Sequence, residues 1–158
     1  VPQIAEWVRD GYVTATPGET TDYRFIRRVF AEKAQKFFVA KLIYDEHFAE
    51  QLTNEMSEDT GVERLKLPQT ATRLNEPTQN WERAVLDRKL EHDGNPVMAW
   101  QMGHVNIRTD ANGNKRPVKP ANEDHKKIDG VLSGIMGLAG ARTEAADGDW
   151  YRPGGMRD

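Results

Sequence analysis

The stretch Val39-Ala40-Lys41-Leu42-Ile43-Tyr44-Asp45-Glu46-His47 decides how this chain folds. Residues 39–44 are apolar apart from Lys41 and read as a strand buried on both sides. The run stops at Asp45, and a carboxylate at the C-terminal end of a buried strand points into the crevice where open α/β sheets bind ligands. Upstream, Asp22 is placed to cap a helix over residues 22–38, whose Phe25, Ile26, Val29, Phe30, Ala34 and Phe37 share one face. Downstream, residues 47–60 read as a helix with Phe48, Ala49, Leu52 and Met56 on one side and Gly61 as its stop. Residues 62–67 alternate as a second strand. Helix, strand, helix, strand in close succession predicts an α/β fold with parallel neighbours.

The remainder is coarser. Residues 4–9 form a short helix, and residues 68–78 a polar loop holding Pro68 and Pro77. A helix follows over 78–90 with Trp81, Ala84, Val85 and Leu90, then a loop at His92-Asp93-Gly94-Asn95-Pro96 and a short helix over 97–102. Residues 104–109 alternate as a strand. Asp110-Ala111-Asn112-Gly113-Asn114 is a turn, since Asn-Gly tolerates positive φ at both central positions. Residues 115–121 return as an edge strand limited by Pro117 and Pro120. The last helix is expected over residues 122–141, with Gly130, Gly134, Gly137 and Gly140 permitting close backbone approach at a cost in helix propensity. Residues 143–158 read as a flexible tail.

Asp129 heads the apolar part of that helix and is expected to face the same crevice as Asp45. Two carboxylates brought together repel unless a divalent cation holds them, which points to metal-dependent phosphoryl chemistry. Each acid also has a plainer reading. Asp45 before a helix is a good N-cap, whereas Asp129 inside an apolar helix would cost stability without a partner. Asp93 and Asp110 read as turn residues, and Trp81 and Trp100 as packing.

With 158 residues, the chain suits one domain, here 1–142. No apolar run reaches the length of a membrane span, and there is no Cys for a disulfide or thiolate zinc site. The opening Val1-Pro2-Gln3 lacks Met and any signal-peptide pattern, so a piece of something longer is expected. Net charge is −3, yet residues 115–127 hold five bases (Lys115, Arg116, Lys119, Lys126 and Lys127) against two acids. Such a patch can hold a phosphate backbone despite a negative total, or simply be a solvated loop.

Several segments, in order, resemble the nuclease domain of phage terminase large subunits. They are Gly11-Tyr12-Val13-Thr14-Ala15-Thr16-Pro17-Gly18 with Asp22-Tyr23, and Ile43-Tyr44-Asp45 with Ala49 and Leu52. Next come Leu90-Glu91-His92-Asp93-Gly94-Asn95-Pro96-Val97 with Trp100, and Arg108-Thr109-Asp110-Ala111-Asn112-Gly113-Asn114 ahead of Lys127-Ile128-Asp129-Gly130. The resemblance implies an RNase H-like fold, a mixed sheet flanked by helices with a β-hairpin before the last helix. It implies a site of three acids binding two Mg2+ or Mn2+ ions, the second acid at Asp45 and the last at Asp129. The first acid then belongs upstream of Val1, so the opening strands are expected to be missing and the isolated chain weak or inactive as a nuclease. His104 stands where the family usually has Asn and is a candidate metal ligand or phosphate donor, or only a half-packed residue at a strand edge.

The implied function is two-metal cleavage of concatemeric double-stranded DNA during genome packaging, in the cytoplasm of the infected bacterium. The implied partners are DNA, the portal and the small terminase subunit, with no membrane. Lys115, Arg116, Lys119, Lys126 and Lys127 are the candidate DNA contacts. Two other readings remain: a catalytically incomplete terminase fragment acting as a binding or assembly module, and a transposase or resolvase core, which usually ends its site with Glu where this chain has Asp129. A sheet lacking its opening strands would expose an edge, and self-association of the chain is expected.

Overall fold

The structure, a computed structural model, describes residues 2–123 and 125–147. Elements run α1 (Pro2–Arg9), α2 (Tyr23–Lys36), β1 (Lys41–Tyr44), α3 (Glu46–Thr60), β2 (Glu63–Lys66), α4 (Ala71–Leu86), α5 (Pro96–Met102), β3 (Asn106–Thr109), β4 (Lys115–Val118) and α6 (Asp129–Asp147). The fold is mixed α/β. The described strands form two separate two-stranded sheets, β1 with β2 and β3 with β4. Residues 2–17 and 70–135 make one compact unit, residues 18–69 and 136–147 the other, so α6 contributes its first turns to one and its remainder to the other.

In the second unit the predicted order holds. Asp22 caps α2 by accepting from the Phe25 amide at 3.0 Å. Gly61 ends α3 in the left-handed region at φ 72°, where glycine pays no Cβ penalty. β1 and β2 pair in parallel with Ile43 opposite Leu65. Arg27 of α2 reaches Glu55 at 2.6 Å and grips both oxygens of Asp59 on α3. The fork matches a carboxylate bidentately, the stronger form of an exposed ion pair. Ala34, Tyr44, Met56, Val62 and Met136 are buried; the side chain of Phe48 lies outside the described residues.

The first unit departs from expectation at the start of two helices. α4 begins at Ala71, with Thr70 as its N-cap accepting from the Arg73 amide, not at residue 78 after a loop. Pro77 therefore sits inside the helix. An interior proline costs about 3 kcal/mol, and the near-complete burial of Leu74 one turn earlier works against that cost. The last helix begins at Asp129, not Asn122; Asn122 has φ 61°, a conformation asparagine tolerates and no helix interior contains. At the hairpin tip only Gly113 takes positive φ, at 82°. The Asp110 carboxylate organises this turn by accepting from the amides of Asn112 and Asn114, both at 2.9 Å, so Asn112 needs no left-handed conformation. α6 continues through residues 143–147, five of those expected in the tail; the rest of that stretch, residues 148–158, lies outside the described residues.

The glycines of α6 do two different jobs. A Cβ at Gly134 would lie 2.7 Å from the Trp81 ring and one at Gly140 2.5 Å from Ile43 Cδ1, whereas Gly137 faces nothing within 4 Å. Gly134→Ala should therefore lose about 1–3 kcal/mol through overpacking against a rigid indole. Gly137→Ala should gain up to about 1 kcal/mol of helix propensity. Urea unfolding of the two variants reads both, and equal effects of the same sign would contradict the packing.

Candidate functional site

Asp45 sits between β1 and α3 in the second unit, with extended backbone at φ −96° and ψ 132°. Its Oδ1 accepts from the His47 amide at 3.0 Å and its Oδ2 from the Gln69 amide at 2.9 Å. The helix-cap reading is thus realised, but it occupies only half of the group. A carboxylate offers about four acceptor positions, and two are taken. Burial alone would raise the Asp45 pKa; the two amides and the positive charges of His47 and Lys66 outweigh it and hold the group below the usual aspartate value.

Charged neighbours frame this acid. Glu46 pairs with Lys66, and Glu50 pairs with Arg64 at 3.0 Å. Glu50 titrates below its ordinary range, first because it accepts from Tyr44 and then because Arg64 and Lys66 are near. The Arg64 guanidinium lies 5.3 Å from the Tyr44 ring centroid. β2 thus brings two bases to the acids at the start of α3, a pattern that parallel pairing creates and that sequence order hides.

Asp129 belongs to the first unit, where it is the exposed first residue of α6. It is not buried among apolar residues, so the stability argument for a compulsory partner does not apply. Its neighbours are held firmly: Ile128 is buried, and the Gly130 amide donates to Gln101 Oε1 at 2.6 Å. His104 is half-buried, with its ring edge-on to Trp100 at 4.3 Å, and Trp100 in turn meets Trp7 at 5.5 Å. Its Nδ1 is buried without a hydrogen-bond partner among the described residues. Among the described residues no group of three or more His, Asp and Glu is close enough to hold a metal on its own.

The basic candidates separate in space. Lys126 pairs with Glu123 at 2.6 Å, and this hydrogen bond is the main reason Glu123 stays below its usual pKa. Lys127 and Lys119 are exposed. In the hairpin Arg116 stands opposite Arg108, and Ile107 opposite Pro117. Alternation then puts the two arginines on one face and Ile107, Pro117 and Lys115 on the other. That second face borders a pocket of about 420 Å3 lined largely by Trp81, Val85, Val105, Val131 and Ile135. Arg108 escaped notice in the sequence because only the strand register pairs it with Arg116. Asp110 and Asp93 act as turn residues, Asp93 accepting from the Asn95 amide at 3.0 Å.

Residues 2–145 match the family described as "Terminase large subunit, endonuclease domain". The chain is 33% identical over 141 residues to Protein YmfN of Escherichia coli strain K12, covering 88% of this chain and 30% of that protein. It is 26% identical over 146 residues to the large terminase subunit of Enterobacteria phage HK97, covering 89% and 28%. The crystal structure of the HK97 large terminase shares its fold, with a TM-score of 0.75 and 22% identity over 86% of this chain and 28% of that one. The chain therefore spans under a third of the length of these relatives.

The bonds at Asp45 make a pH-dependent contribution to stability. Because folding depresses its pKa, the contribution is complete above about pH 4, the ordinary aspartate value, and is lost as pH falls through the depressed value. Asp45→Asn keeps one acceptor oxygen but faces the second amide with a donor. It should cost about 1–2 kcal/mol at pH 7, and the gap to the parent should shrink in urea titrations at pH 3. A gap independent of pH would rule out the ionised carboxylate as its source.

Proposed function

Since its residues 2–145 match that family, the chain belongs to the endonuclease domain family of terminase large subunits, and we propose that it cleaves concatemeric double-stranded DNA by two-metal phosphodiester hydrolysis during genome packaging. In this reading residues 1–142 are the nuclease part, RNase H-like, and Asp45 and Asp129 are its metal-binding carboxylates. The observation that carries it is the state of Asp45: a carboxylate at the end of a strand, kept ionised by two amides with acceptor positions to spare.

The donor chemistry fits a hard cation. Both candidate ligands are carboxylate oxygens, which suit Mg2+ or Mn2+, and Mg2+ commonly keeps several waters beside one or two carboxylates. When bound, such ions polarise the scissile phosphate and ease ionisation of the attacking water. The chain's own part is to hold the carboxylate oxygens in place and the duplex against them. Asp45 is fixed by its amides. Asp129 is presented to solvent by the first turn of α6. His104 remains a further candidate ligand, its Nδ1 without a hydrogen bond among the described residues.

Arg116 with Arg108 opposite, Lys119 and Lys127 are suited to phosphate contact, which supplies most sequence-independent affinity; Lys115, on the other face of the hairpin, could join them only from the pocket rim. Lys126 already pairs with Glu123 and contributes less than Lys127. The full packaging protein would work with portal and small terminase subunit in the cytoplasm of the infected bacterium; no described helix is long and apolar enough to cross a membrane. Self-association of the chain is part of the same proposal.

A crystal soaked in Mn2+ tests the metal reading. Anomalous density at Asp45 and at Asp129 is expected, and its absence from either carboxylate refutes that residue's part in the reading. Duplex binding measured against salt tests the surface. Lys127→Ala should lower the slope of log K against log salt by about one, and Lys126→Ala by distinctly less. Equal slopes for the two variants would show that the Glu123 pair does not persist beside DNA.

A further inference from the structure

The first turn of α6 carries Asp129, yet a residue of α5, 29 positions upstream, holds that turn in place. Gln101 Oε1 accepts from the Gly130 amide at 2.6 Å. This amide is one of the donors that a helix start leaves without an intrahelical partner. It also belongs to the peptide that joins Asp129 to Gly130, so fixing it fixes the ψ of Asp129 and the direction in which its side chain leaves the backbone. On the other side, Ile128 is buried and its carbonyl accepts from the Leu132 amide at 2.9 Å. Asp129 is therefore exposed while the backbone on both its flanks is clamped.

Gly130 is what lets Gln101 come so close. A Cβ at that position would lie 2.9 Å from Gln101 Oε1 and 3.5 Å from its Cδ. Gly130 has ordinary helical backbone and is absent from the positive-φ positions, so what glycine provides here is room for the amide oxygen, which a Cβ would push off the Gly130 amide. The small residue and the long acceptor form one device.

We propose that Gln101 is a positioning residue for Asp129, setting the orientation of the carboxylate that takes the divalent cation. The proposal rests on the metal reading of Asp129 given above. Partners that orient a metal ligand typically change metal affinity about 10–100-fold when lost, and Gln101 acts through the backbone, so the low end of that range applies.

Mn2+ binding to the 158-residue chain, followed by the electron paramagnetic resonance signal of the free ion, tests it alongside thermal unfolding. Gln101→Leu should weaken Mn2+ binding about tenfold. Gly130→Ala attacks the same bond from its other end and should give a similar loss. The double variant should be no worse than either, because both break one interaction. A lowered Tm in Gln101→Leu with unchanged Mn2+ affinity overturns the positioning role, and so does an additive loss in the double variant. Asp129→Asn separates the two levels. If it leaves Mn2+ binding intact, the metal reading itself fails; if it abolishes binding while Gln101→Leu and Gly130→Ala do not alter it, only the positioning inference falls.

Discussion

Two backbone amides converge on the carboxylate of Asp45, one from the first turn of α3 and one from the segment beyond β2. The second unit depends on that grip. It closes strand, helix and strand into a loop with a single side chain, next to a ladder that extends one step past β2 where the Leu67 amide donates to the Tyr44 carbonyl at 2.8 Å. Amide donors favour the charged form of an acid. The bonds that close the fold thus also favour an ionised carboxylate at a strand end.

In both units the helix α6 depends on what it lacks. Gly134 yields its side-chain space to the Trp81 ring in one unit, and Gly140 yields to Ile43 in the other. Each glycine costs about 1 kcal/mol of helix propensity relative to alanine, and close packing against a large apolar partner returns that cost. Gly130 follows the same logic with a polar partner. Three of the four glycines noted in the helix therefore answer to a specific neighbour, and Gly137, which meets nothing, shows that the pattern is not a matter of composition.

Charge tells a similar story. Five bases within thirteen residues look like one patch when written in a line. Folding assigns them different surroundings: Lys126 is spent on Glu123, Arg116 gains Arg108 as a neighbour, and Lys115 turns to the apolar face of the hairpin. A run of like residues is one-dimensional, and alternation along a strand splits it between two faces.

The sequence by itself determined whatever closes within a few residues. Asp22 reaching the Phe25 amide, Gly61 ending α3 and Asp110 organising its turn were readable because caps and turns are local properties, and the parallel order of β1 and β2 followed from the alternation of helix and strand along the chain. The family could be read too, since Asp45 and Asp129 stand among motif residues in a fixed order. Tertiary structure alone decided that Pro77 lies inside a helix, where the burial of Leu74 works against a local breaker. It also decided that α6 begins at Asp129, and that Gln69 and Gln101, 24 and 29 residues from their partners, hold the two acids or the turn that bears them. A backbone amide has no sequence signature. Which carboxylate or carboxamide satisfies it is settled only when packing brings the two within hydrogen-bond reach.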